Sequence, residues 1–298
     1  LCDRRQRQMC IRDRQIIESK DYEKIKEAVF KYGGVQTSIY NALRSSQSSS
    51  PYYNKSTDAY CYIGTEKPNH DVVIVGWDDS YSKDNFNTDL EGDGAFICQN
   101  SWGDNFGENG FFYISYYDTN IGTHNVVYTD IENTDNYDHI YQSDLCGWVG
   151  QLGYNKDSIY GANVFTAEGN ETLKAASFYA TGKDSQYELY VVRQFEDETS
   201  LEKMIPVASG KLGNAGYYTV DFNQGIEVDA GERYAVVLYI ITPGSVHPMA
   251  IEYAADEATE NVDLDDGESY ISANGSKWVS VDTVEKSNLC IKAFSDNR

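Results

Sequence analysis

Residues 99–115, QNSWGDNFGENGFFYIS, decide how the first third of the chain is read. Asn100 and Trp102 stand beside Gly103, Gly107 and Gly110, and the segment then enters an aromatic strand, GFFYISYY (110–117). Glycines at this density permit backbone turns that other residues resist, so the stretch reads as a looped site feeding a strand. Upstream, NHDVVIVGW (69–77) places His70 just before a continuous apolar run of strand length. AFICQ (95–99) is another strand and ends immediately before Asn100. A His and an Asn at the ends of neighbouring strands can touch, however far apart they lie in sequence.

That pair suits thiol chemistry. An amide oxygen that accepts the imidazole N–H orients the ring without adding negative charge, and the other ring nitrogen is left to face a sulfur. His70 is the candidate base and Asn100 its candidate orienter. Trp102 would shield their hydrogen bond from water, which strengthens it, and Gly103 allows the turn that follows.

Outward from this block, the segment after Ser19 predicts a helix. Ser19 is the expected cap, Asp21 and Glu23 put negative charge in the first turn, and Tyr22, Ile25, Val29 and Tyr32 share a face. Gly33 and Gly34 end it. VQTSIY (35–40) reads as a strand, the Ser-rich residues 45–60 and the acidic residues 78–94 as loops, and residues 118–138 as a connector. Beyond residue 136 the texture changes to short alternating segments, among them YGANVF, KAASFYA, YELYVVRQF, RYAVVLYI and LCIKAF, separated by turn clusters. That spacing is the signature of an antiparallel β-sandwich. The expected fold class is therefore α+β over residues 15–134, followed by an all-β antiparallel sandwich over 135–298.

Bulk properties narrow the function. A net charge of −23 excludes a nucleic-acid binder, because phosphates demand clustered Lys and Arg. No apolar run approaches the roughly 20 residues that span a membrane. The 25 tyrosines suit half-buried strands, with sugar stacking as the minority reading. Six cysteines show no CxxC pair, and His124, His139 and His247 show no zinc-like spacing. The acidic segment NVDLDDGES (261–269) reads as a solvated turn, with calcium as the alternative.

The first fourteen residues, LCDRRQRQMCIRDR, hold five of the nine arginines and no apolar h-region. MCIRDR (9–14) reads as the translation of a sequencing-library adapter, so residues 1–14 are set aside as foreign to the fold.

At NHDVVIVGW, FICQNSWGDNFGENGFFYI and GGVQTSIY the chain resembles the C-terminal half of the papain-family cysteine peptidases, over residues 22–117. In that family a strand-initial N/D-H-A-V precedes K-N-S-W-G-x-x-W-G-E-x-G-Y. The resemblance implies that His70 is the catalytic base, Asn100 its orienter and Trp102 and Gly103 their support, with no cofactor and no metal. Phe106 stands where the family often has Trp, a conservative change. Asp71 stands where many members carry Ala, at a position lining a substrate pocket, and would there favour a basic side chain; an orientation into solvent is the plainer alternative. The family's nucleophile lies roughly 130 to 150 residues before the His, upstream of residue 1. Cys61 lacks a helix N-terminus, Cys98 faces the core, and Cys146 follows rather than precedes the His. No nucleophile is expected in this chain, which is therefore expected to be inactive alone.

YDHIYQSDLCGWVG (137–150) and the strands after it resemble the lectin-like domain that follows the peptidase in secreted bacterial and archaeal members. Trp148, Trp278 and the tyrosines offer either a stacking platform or ordinary packing. The whole reads as a fragment of a secreted or cell-surface papain-like endopeptidase, a monomer acting on a peptide or protein substrate, with glycan or cell-surface contact through the β-domain. Its signal peptide and pro-segment are expected upstream. An inert pseudopeptidase or a surface-binding protein is the alternative, and a transpeptidase using the same pair a weaker one.

Overall fold

Asp21, two residues past the expected Ser19, caps the helix α1 (Tyr22–Tyr32): its carboxylate accepts the Lys24 N–H at 3.2 Å. Lys20, at φ 60°, turns the chain just ahead of it. A cap must present its oxygen to the third helical N–H, and only the residue adjoining Tyr22 can reach Lys24. Gly33, at φ 89°, closes the helix by donating its N–H to Val29. Ile25, Ala28 and Val29 are the buried face, whereas Tyr32 is exposed.

The computed structural model describes residues 11–298, which fall into two compact units: residues 15–129, and residues 130–298 together with 11–14. Of the segment set aside above, residues 1–10 lie outside the described residues, and residues 11–14 begin the strand β1 (Ile11–Ile17). The Arg12 side chain is buried, 2.7 Å from Asp221 and 2.8 Å from the Tyr137 hydroxyl.

In the first unit the strands are β2 (Val35–Ile39), β3 (Tyr53–Asn54), β4 (Ala59–Tyr60), β5 (His70–Asp78), β6 (Ala95–Gln99), β7 (Phe111–Ser115) and β8 (Asn125–Ile131). They lie side by side in the order β3-β4-β7-β6-β5-β2-β8, antiparallel except for the parallel pair β4–β7. Ile25 and Val29 of the helix join Val35, Ile39, Ile74, Phe96, Phe112 and Ile114 in one core. Each such side chain contributes about 1.5–3 kcal/mol on burial. β8 lies inside the stretch read as a connector. Its aliphatic positions, Val126, Val127 and Ile131, do not alternate, and β2 pairs with it only at Gln36 and Thr37.

The second unit is the expected sandwich. Its strands are β9 (His139–Tyr141), β10 (Gly150–Leu152), β11 (Ser158–Thr166), β12 (Glu171–Ala180), β13 (Ser185–Val192), β14 (Ile205–Leu212), β15 (Gly216–Val228), β16 (Arg233–Ile241), β17 (Met249–Glu252), β18 (Glu268–Ser272), β19 (Val279–Ser280), β20 (Asn288–Leu289) and β21 (Ile291–Asn297). One layer runs β15-β12-β21-β9, beside a small sheet β10-β17-β20. The other layer runs β14-β13-β16-β11-β18-β19. Leu173, Phe178, Leu189, Val191, Val236, Leu238 and Ile291 fill the space between them. Among the described residues no helix is long and apolar enough to cross a membrane.

Candidate functional site

His70 opens β5 and Asn100 immediately follows β6. The two strands pair antiparallel with Val73 opposite Gln99, so the β6 exit is brought beside the β5 entry. Across that corner His70 Nε2 lies 2.9 Å from Asn100 Oδ1. The Ser101 backbone N–H donates to the same Asn100 atom at 2.8 Å. An N–H cannot donate to an amide nitrogen, so the shared atom is the oxygen, and His70 must be the donor through Nε2–H. This leaves Nδ1 as the unprotonated ring nitrogen of the neutral imidazole, and it makes no hydrogen bond among the described residues.

The pair sits on a rigid base. Asn100 is buried, and its N–H donates to the Gly110 carbonyl at 2.9 Å. The Trp102 ring lies 5.4 Å from the imidazole, at 42°, and rests edge-on against Phe106 at 5.2 Å. Phe106 is buried against Tyr53 and Phe112, so the phenyl ring fills the core beneath the site. Gly103 has φ 76° in open space, whereas a Cβ on Gly107 would lie 2.1 Å from the Phe111 carbonyl oxygen. The first glycine serves a conformation; the second also serves a close approach.

Asp71 is exposed on the β2–β5 surface, opposite Ser38. Its carboxylate accepts the Ser38 hydroxyl at 2.7 Å and the Gln36 amide at 3.1 Å. Those bonds hold it on the strand surface one residue from His70.

Cys61 and Cys98 are buried in this unit, and Cys290 in the other. Burial, aided by the charge of Asp118, pushes the Cys61 thiol up to about 12 and raises Cys98 as well. Neither is a thiolate at neutral pH, so neither is suited to attack a carbonyl. Cys146 is exposed and belongs to the second unit, as do His139 and His247; His124 is exposed in the first.

Sequence reasoning missed one organising residue. Asp118 is buried and accepts three backbone N–H groups, from Tyr62 at 2.8 Å and from Asn120 and Ile121 at 2.9 Å. Burial raises its carboxyl despite those bonds. It closes the loop that carries Asn125, whose amide takes the Thr37 hydroxyl at 3.2 Å and donates to Gly122 at 2.7 Å. The Asp-Thr-Asn turn at 118–120 was the available signal, since Asp commonly bonds backbone groups two residues on.

Known proteins resemble the chain in both units. Residues 1–131 match the sequence profile of the papain family cysteine proteases, and residues 140–295 that of the lectin like domain. Two solved structures are similar along nearly the whole length. One is the clostridial cysteine protease Cwp84 after propeptide cleavage, at 29% identity and a TM-score of 0.83, over 97% of this chain and 71% of that one. The other comprises the cysteine protease and lectin-like domains of Cwp84, a surface layer associated protein of Clostridium difficile, at 27% identity and a TM-score of 0.80, over 97% of this chain and 63% of that one. No curated protein sequence matches significantly. The chain therefore belongs to the lectin-like domain family through residues 140–295, and the segment ahead of them is the C-terminal part of a papain-family cysteine protease domain.

Proposed function

We propose that His70 and Asn100 are the base and orienter of a cysteine endopeptidase whose thiol lies outside the described residues. The observation that carries this reading is the oriented imidazole, with Nε2–H on an oxygen that Ser101 identifies. In that state Nδ1 takes the proton of an approaching thiol, giving the thiolate–imidazolium pair that attacks the peptide carbonyl. The same imidazolium then returns its proton to the leaving amine. Trp102 keeps water from the His70–Asn100 bond, and Gly103 sets the turn that lets it do so.

Asp71, fixed by Ser38 and Gln36, selects a basic substrate side chain through its charge. The protein works outside the cell or at its surface, in line with the surface-layer association named for Cwp84. The lectin-like unit supplies glycan contact there.

The test is turnover of Arg-Arg and Phe-Arg reporter peptides by the peptidase formed when residues 15–129 are joined to a cysteine-bearing helical half. His70→Ala should lower kcat by about 10²–10⁴-fold, the span general-base catalysis supplies. Asp71→Ala should remove a preference for the dibasic reporter. Unchanged turnover in His70→Ala would end the proposal, as would hydrolysis by the present chain that thiol blockers do not stop.

A further inference from the structure

The outer face of the six-stranded layer carries a row of side chains that the sandwich core does not use. Strand pairing aligns Ser209, Glu188, Tyr239, Tyr160 and Ser272 across β14, β13, β16, β11 and β18. Tyr160 and Tyr239 stack with ring centroids 4.2 Å apart and planes at 21°, and both remain half-buried. Trp278 stands edge-on to Tyr160 at 6.2 Å, forming a wall on one side. On the other side a cavity of about 270 Å³ opens over Glu188, Ser209, Lys211 and Tyr239.

We infer that this row is a binding site for a neutral glycan, with the cavity-side face of Tyr239 as the stacking surface and Tyr160, packed between Tyr239 and Gly275, as its backing. The inference rests on reading the lectin-like unit as the glycan-contacting part of the protein. A pyranose ring has a flat C–H face and a polar rim. The free π face of Tyr239 attracts the first, because its quadrupole is negative toward polarised C–H groups. The rim needs donors and acceptors together, and the cavity offers a carboxylate at Glu188, a hydroxyl at Ser209 and an ammonium at Lys211. One acid and one base leave the site without a dominant sign. The chain as a whole carries −23, which opposes anionic polymers at any surface. A neutral chain of sugars is the occupant that meets both conditions. The cavity is shallow and open, so it takes one or two rings of a longer chain rather than enclosing a small molecule.

The experiment is electrophoresis of the full chain through native gels containing a soluble neutral β-glucan, a galactomannan or the anionic polygalacturonate. Retardation by a neutral polysaccharide and not by polygalacturonate is expected. Tyr239→Ala should weaken that binding about tenfold, while Tyr239→Phe, which keeps the ring, should retain it. Glu188→Gln alters an exposed side chain and serves as the variant least able to disturb folding; it should weaken binding severalfold. Wild-type retardation that Tyr239→Ala and Glu188→Gln both leave intact would overturn this site while leaving glycan contact in place elsewhere on the unit. Retardation by polygalacturonate alone would overturn the neutral class. No retardation by either neutral polysaccharide would overturn both the site and the glycan reading.

Discussion

The two units bury polar groups in opposite ways. In residues 15–129 the buried polar side chains are Thr37, Asn100, Asp118, Asn120 and Asn125, apart from the strand-end Ser115, and they bind turns and corners. In the sandwich, charged groups lie within or beneath strands: Lys292 in β21, Glu171 in β12 and Glu252 in β17, with Asp144 in the loop before β10. A corner that must hold a histidine at a set angle needs particular residue types at particular positions, so it leaves a motif. A charge buried among strands needs only some partner somewhere, and it leaves none.

The largest expected effect comes from breaking the deepest of these pairs. Lys292 Nζ lies 2.7 Å from Asp144 Oδ2, with both side chains almost wholly hidden, and donates as well to Gln142 at 2.9 Å. Burial raises the Asp144 carboxyl in spite of Lys292, so ionising it inside the sandwich is costly. Lys292→Ala should destabilise the second unit by about 3–5 kcal/mol, because Asp144 is left charged and unpaired. The double change Lys292→Met with Asp144→Leu should be near neutral. Urea unfolding of the two variants beside the unaltered chain decides it. A mild single mutant would mean that the interior is wetter than its exposure implies.

Asp118 is the counterpart in the first unit, and a smaller loss is expected there. Asp118→Asn keeps the shape but turns an amide N–H₂ toward one of the three backbone donors. The cost should be about 2–3 kcal/mol, measurable as a drop in the urea midpoint of that unit. Loss of stability equal to that of Lys292→Ala would erase the contrast between corner and strand.

These contrasts explain what the sequence disclosed. The meeting of His70 and Asn100 was legible because one strand ends at an Asn–Ser–Trp–Gly turn and its neighbour begins at a His. The helix was legible from Ile25 and Val29, but its cap was not, since Ser19 and Asp21 are equally good caps and only the true first residue decides. The sandwich class followed from alternation. Its strand order did not, because β12 lies between β15 and β21, far from both in the chain, and no local pattern encodes that pairing. Lys292 would be placed outside by any hydropathy reading, and it is fully buried.

The two site glycines give a finer test. Gly103→Ala meets open space and only the backbone penalty of φ 76°, so about 1–2 kcal/mol is expected. Gly107→Ala adds a steric clash with the Phe111 carbonyl and should cost more, seen as a lower Tm. If the two cost the same, conformation alone governs this turn. The Nε2–H tautomer of His70, read by nitrogen NMR, should survive the first change and weaken in Asn100→Ala.

The smallest effect belongs to a histidine of the sandwich. His139 Nε2 lies 3.0 Å from Asn297 Oδ1, and Glu168 is 3.4 Å from Nδ1. The hydrogen bond to Asn297 raises its pKa against partial burial, and the charges of Glu171 and Glu168 add to it. A histidine whose folded pKa is raised contributes its stability in full below the unfolded value, about 6.5, and loses it as pH climbs through the folded one. The second unit should therefore weaken as pH rises above about 6.5, by less than about 1 kcal/mol because solvent screens the pair. His139→Gln should flatten that slope in urea midpoints taken across the range, while leaving the first unit's midpoint unchanged. A slope that persists in the variant would assign the pH dependence to the buried carboxyls instead, with Asp144 the first to examine.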